Sequence, residues 1–353
     1  FVIARESVFS YKIKQVPINK VSRALGVRYV LKGSVRKSED RLRITVQLID
    51  ATTGQSLWSE RFEKSLGEIF AIQDEITLSI LRALQVKLTE GEQARLIGKK
   101  TNNLDAYLKA IQAQEQFFQM NRQGSMRAKE LAKESIDFDP NYAFPYTTIA
   151  NAHMLDAWFN FSTSPGESMK LATDAADKAL IINESDPAIY STLTNLYVMQ
   201  SQYDRAIKSA RQAIELSPGG ARAHISMGYA LYFSCRFEEA IPFFEQAIRL
   251  NPYPPGLYFR SLASVYRFAG RYDESLTAYK KAINLNPDDL FGRIGITALY
   301  VLMERMEDAK HEASEVMRLH PNFSLEYFAK TATLKDQAVV IGMVETLRKA
   351  GLK

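Results

Sequence analysis

The 353-residue chain has one cysteine and four histidines, and each scarcity closes a class of function. With Cys235 alone there is no internal disulfide framework and no cysteine-built zinc site. His153, His224, His311 and His320 include no pair at the i, i+4 spacing of a helical metal site. No run reaches 18 consecutive apolar residues, so no membrane span is expected. The opening FVIARESVF carries no initiator methionine, charged n-region or signal sequence. The expectation is a piece of a longer protein, in the cytoplasm, or in the periplasm if a span lies upstream. No nucleophile, base and oxyanion set can be assembled, and GKKT (98–101) has the wrong glycine spacing for a phosphate loop. No catalytic, cofactor-binding or metal-binding residue is therefore expected.

Charge is unevenly placed. Residues 1–43 hold eleven Lys and Arg against Glu6, Glu39 and Asp40, while the whole chain nets +5. A basic head suggests nucleic acid or an anionic surface. Without aromatic residues interleaved among the charges, the simpler expectation is a solvated outer face that binds no nucleic acid directly.

What the sequence does have is a period. The segments AIELSPGGARAH (213–224), AIRLNPYPPGLY (247–258) and AINLNPDDLFGR (282–293) align with a proline five residues after each alanine. Pro140, Glu184 (in the proline slot), Pro218, Pro252, Pro287 and Pro321 are separated by 44, 34, 34, 35 and 34 residues. With the proline as position 32, position 20 is small throughout: Ala128, Ala172, Ala206, Ala240, Ser275 and Ala309. Small residues recurring on one helical face let a partner helix approach closely. Position 11 carries Tyr197, Tyr266 and Tyr300, whose rings fill the gap between hairpins. Each proline stops the second helix. About ten extra residues near WFNFSTSPGE (158–167) should lengthen a helix or add a loop.

This pattern over about residues 104–321 resembles the tetratricopeptide repeat, a helix–turn–helix unit. The resemblance implies a mostly α fold, a right-handed superhelix of about six repeats over 101–321, with C-terminal capping helices over 322–353. Ahead of it, INKVSRALG (18–26) reads as a short helix. Strands follow at about 28–37, 41–50 and 55–62, then a long amphipathic helix at 66–88. Leu42, Ile44, Val46 and Leu48 share one sheet face, which that helix can cover. VIA (2–4) reads as a further strand. YVLKGSVRKSEDRLRITVQLIDATTGQSLWSERF and EIFAIQDEI resemble the segment, related to the TolB amino-terminal domain, that precedes tetratricopeptide repeats in bacterial signalling proteins. That family's opening strand and helix have no counterpart here, which implies a small α/β domain over 1–100 that is cut short. The family implies a parent that is a class III adenylate or guanylate cyclase, with a winged-helix transcription regulator as the alternative.

In such arrays the first helix of each hairpin lines the inner groove. By register the candidate binding residues are Asn151, Asn195, Met199, Arg222, Ile225, Ser226, Tyr229, Tyr232, Phe233, Arg260, Ser264, Arg267 and Phe268. Asparagine can bond a peptide backbone, arginine can hold a carboxylate and aromatics can pocket apolar anchors. Alternatively Tyr229, Tyr232 and Phe233 pack between helices or fill the groove themselves. The clamp of chaperone-binding members is incomplete, because Thr147 and Ser191 stand where it needs lysine. The expected function is a non-catalytic interaction and regulatory region for a protein or peptide partner, with self-association as a further possibility.

Overall fold

The computed structural model describes residues 16–51, 53–83, 101–251 and 254–353. The strand expected at 2–4 and the helix beyond residue 83 lie outside the described residues. The chain divides into two compact units, one within 16–152 together with Asp177–Asp186, the other His153–Ala176 with Pro187–Lys353.

In the first unit, helix α1 (Ile18–Leu25) ends at Gly26, whose φ of +64° needs no Cβ. Strands β1 (Tyr29–Ser38), β2 (Arg41–Asp50) and β3 (Gln55–Ser65) form an antiparallel sheet in that order. Leu42, Val46 and Leu48 are buried on the expected face. Helix α2 (Ile69–Ala83) sets Ile72 and Ile76 against Val46, Phe62, Ile44 and Trp58. It begins three residues later than the apolar pattern suggests. Glu68 accepts from the backbone and the hydroxyl of Ser65, which holds Leu66–Glu68 as a 3-10 turn. On the outer side, Arg43 and Arg61 both bond Glu63 and hold its carboxyl below the ordinary range. Such exposed pairs add little stability.

The rest of this unit is helical. Helix α3 (Leu104–Phe117) pairs with α4 (Arg122–Phe138), with Ala106, Ala110, Ala113, Ala128 and Ala132 all fully buried. Ser135 takes an alanine slot because its hydroxyl donates to Ala106 O at 2.6 Å. The extra residues appear as length: α5 (Ala143–Trp158) has 16 residues and α6 (Pro165–Ile182) has 18, and each has residues assigned to both units.

The second unit carries four regular hairpins. Their first helices are α7 (Pro187–Met199), α9 (Ala221–Phe233), α11 (Gly256–Phe268) and α13 (Leu290–Leu302), 13 residues each. Their second helices are α8 (Tyr203–Leu216), α10 (Phe237–Leu250), α12 (Tyr272–Leu285) and α14 (Met306–Leu319), 14 residues each. Between them the chain turns through the left-handed region at Ser201, Cys235, Gly270 and Glu304. The next N–H returns to the position-11 carbonyl, as in Arg271 to Tyr266 and Arg305 to Tyr300, both 2.8 Å. That is a Schellman closure, repeated at every hairpin. Ala206, Ala240, Ser275 and Ala309 are fully buried, as the small-residue register requires.

The position-11 tyrosines are stacked by arginines: Arg205 over Tyr197, Arg271 over Tyr266 and Arg305 over Tyr300, at 4.1, 4.4 and 4.6 Å. Tyr266 also donates to Glu245 at 2.5 Å; burial, then that carboxylate, push its pKa up to about 12. An unfolded tyrosine ionises near pH ~10. The folded state therefore favours the neutral phenol, and this contribution is full below that pH and lost as pH rises from there through 12. Tyr266→Phe is expected to flatten the fall of melting temperature across that alkaline window, measured by thermal melts at constant ionic strength.

After α14 come α15 (Leu325–Thr331) and α16 (Gln337–Lys349). Leu347, Ala350 and Leu352 join a core with Ile294, Leu299 and Leu325. Leu325 N donates to Lys353 O at 2.8 Å, which closes the end of the chain onto the start of α15.

Candidate functional site

The face of the second unit built by α7, α9, α11 and α13 holds nearly all the residues selected by register. Asn151 belongs to the first unit, where its amide donates to Thr147 O at 2.8 Å. Asn195 and Arg222 are exposed and Met199 is half-buried. Ile225 and Ser226 are buried, and the Ser226 hydroxyl returns to Arg222 O at 3.0 Å.

The aromatic residues do not stand free. Tyr229 meets Phe244 edge-on at 5.5 Å and its hydroxyl pairs with Ser261 at 3.0 Å. Tyr232 contacts Phe233 and Phe268, while Phe268 stacks on Phe237 at 4.4 Å. Desolvation raises the pKa values of Tyr229 and Tyr232, and the Arg260 charge opposes the rise at both. Ser264 bonds Arg260 O and pairs with the hydroxyl of the fully buried Tyr279. Tyr229, Tyr232 and Phe233 are thus each in contact with neighbouring rings while remaining half-buried.

The two arginines of α11 differ. Arg260 pairs with Asp289 at 2.5 Å and lies over Phe291. Arg267 is 5% exposed and lies 4.0 Å from the Phe268 ring centre, with no carboxylate partner among the described residues. Its Nε has no acceptor, and Nη2 reaches only Met343 Sδ at 3.8 Å.

Several contributors had no signal in the repeat register. Trp158 and Phe159, from the extra residues, reach Phe233 and Phe291 at 6.1 Å each. Asp289 sits in a turn, where an acid is unremarkable until its partner is known. Helix α16 lies outside any repeat. Lys335 N donates to Phe233 O at 2.8 Å, Asp336 N to Cys235 Sγ at 3.4 Å, and Tyr203 Oη to Thr333 O at 3.0 Å.

In the first unit a cleft of about 800 Å³ is lined by Asn102, Asn103, Asp139, Asn141, Lys178 and Ile181, among others. Asn103 already caps α3 and bonds Phe138 O, and Asp139 accepts from Asn141 N. The Asn103 and Asp139 side chains thus maintain the local turns. No group of three or more His, Cys, Asp or Glu residues able to hold a metal ion occurs among the described residues. No described helix is long and apolar enough to cross a membrane.

Comparison with known proteins agrees with this geometry. Residues 193–255 and 256–289 match models of the tetratricopeptide repeat. The chain carries tetratricopeptide repeats preceded by a small three-stranded sheet. Over 206 residues it is 37% identical to the Rhizobium meliloti (strain 1021) protein named "Putative adenylate cyclase 3", covering 58% of this chain and 35% of that protein. It is 22% identical over 151 residues to the transcriptional regulator HilA of Salmonella typhimurium, covering 43% of this chain and 27% of the regulator. The chain thus spans about a third of the length of the first relative and less of the second. Among solved structures, the APC/C hetero-tetramer Cut9–Hcn1 shares the fold, with a TM-score of 0.51 and 15% identity over 80% of this chain and 52% of that one.

Proposed function

We propose that these residues are a non-catalytic interaction and regulatory region of a larger signalling protein, an adenylate or guanylate cyclase, and that the first-helix face receives a protein or peptide partner. The observation that carries the reading is α16. Its segment is held by Phe233 O and Tyr203 Oη, and Met343 lies against Arg267. This face thus already carries one helix of the chain itself. Asn195 and Arg222 remain exposed on it, and they offer an amide and a cation to an incoming chain. The 37% identity to a cyclase-named protein supports the parent. The 22% identity to HilA is what favours the second reading, a winged-helix regulator.

The test is the parent protein, purified and assayed for cyclic nucleotide formation from ATP and GTP. Deleting residues 101–353 is expected to change the rate at least threefold, while residues 1–353 alone form no product. Product from residues 1–353 alone would overturn the non-catalytic reading. A parent whose upstream residues bind DNA and form no cyclic nucleotide would select the regulator. Arg222→Glu with Asn195→Ala is expected to weaken partner capture at least tenfold without loss of helical circular dichroism.

A further inference from the structure

The stretch 332–352 lies on the first-helix face as a ligand would. Phe233 ends α9, so its carbonyl has no partner further along the helix, and Lys335 N supplies one. Tyr203, from the preceding hairpin, holds Thr333 O. The thirteen residues of α16 then extend about 20 Å to α13, where Leu347 is fully buried. The hold is by packing more than by helix propensity. Val339, Val340, Ile341 and Gly342 are consecutive poor helix formers, and Ile341 faces solvent.

Beneath α16 lies the unpaired Arg267. Two turns earlier on the same helix, the fold gives Arg260 a carboxylate. A buried guanidinium without a counter-charge is costly, and the thioether now beside it is a weak acceptor. Phe268 and Met343 make the surroundings apolar. One unpaired cation there is neutralised by one carboxylate, whereas a dianion leaves a surplus of charge.

We propose that Arg267 is the docking point for a carboxylate of a partner peptide, and that α16 is the built-in competitor which this partner displaces. The inference rests on the reading of the first-helix face as a partner surface and adds the partner's charge and its rival.

The experiment uses the full chain and reads α16 directly. Met343→Glu places a carboxylate beside Arg267 in cis. It is expected to melt above the isosteric Met343→Gln variant and to slow hydrogen–deuterium exchange of the 337–349 amides at least tenfold relative to it. Both differences should vanish in an Arg267→Met background. In trans, a synthetic peptide of residues 337–349 carrying Met343→Glu should speed exchange of the chain's own α16 amides at least tenfold. The peptide carrying Met343→Gln, and inorganic phosphate, should not. Equal behaviour of the Glu and Gln forms, or persistence of their difference without Arg267, overturns the proposal. Acceleration by phosphate also overturns it, because the site then takes a small anion. These readouts need no native partner. Partner capture that survives Arg222→Glu would instead count against the wider reading, whatever α16 does.

Discussion

Phe244→Ala is expected to destabilise the second unit by about 3–5 kcal/mol, the usual cost of emptying a fully buried aromatic site. The ring sits in a space that exists because residue 228 is glycine. A Cβ there would meet three ring atoms of Phe244 at 2.7, 2.7 and 2.9 Å. Gly228→Ala alone should therefore cost about 1–3 kcal/mol through overpacking. In the Phe244→Ala background the obstruction is gone, and the better helix propensity of alanine, worth about 1 kcal/mol, should make the same substitution stabilising. This reversal of sign is checked by urea unfolding of the four proteins in a double-mutant cycle. A Gly228→Ala cost that persists without the ring would refute the account. Because each hairpin contacts mainly its neighbours, the loss should appear as early melting of α9–α12 rather than of the whole chain.

Asp289→Ala should cost about 3 kcal/mol, since it leaves the Arg260 guanidinium, one quarter exposed, without the carboxylate that is itself 6% exposed. A surface pair would give a tenth to a third of this. The informative comparison is Arg260→Met with Asp289→Ala, which removes both charges and should recover most of the loss, measured by the same unfolding curves. If the double variant is no more stable than Asp289→Ala, the interaction is not the source of the effect. Arg267 provides the contrast within one helix, since among the described residues it has no acid to lose.

The helical array was legible because its information is local and repeated. Ala206, Ala240, Ser275 and Ala309 fall where close helix packing demands small side chains, and the prolines end each second helix. These constraints act within a hairpin, so spacing alone reveals them. The sheet was legible for the same reason: the alternation from Leu42 to Leu48 fixes which face is covered. The start of α2 was misplaced because one carboxylate, Glu68, captures Ser65 and delays the helix.

The functional face was legible only in outline. Register placed Tyr229, Tyr232 and Phe233 on the first-helix face, yet whether a ring there faces solvent depends on chain distant in sequence. Trp158 comes from seventy-five residues before Phe233, and Met343 from seventy-six residues after Arg267. The sequence by itself determined the repeats, their period and the small sheet. Only the tertiary structure decided that α16 lies across the face those repeats build, that Arg260 has its acid and that Arg267 has none among the described residues. Periodicity records contacts between near neighbours in the chain. The pairing of charges and the covering of a surface are set by segments whose separation in sequence carries no signal.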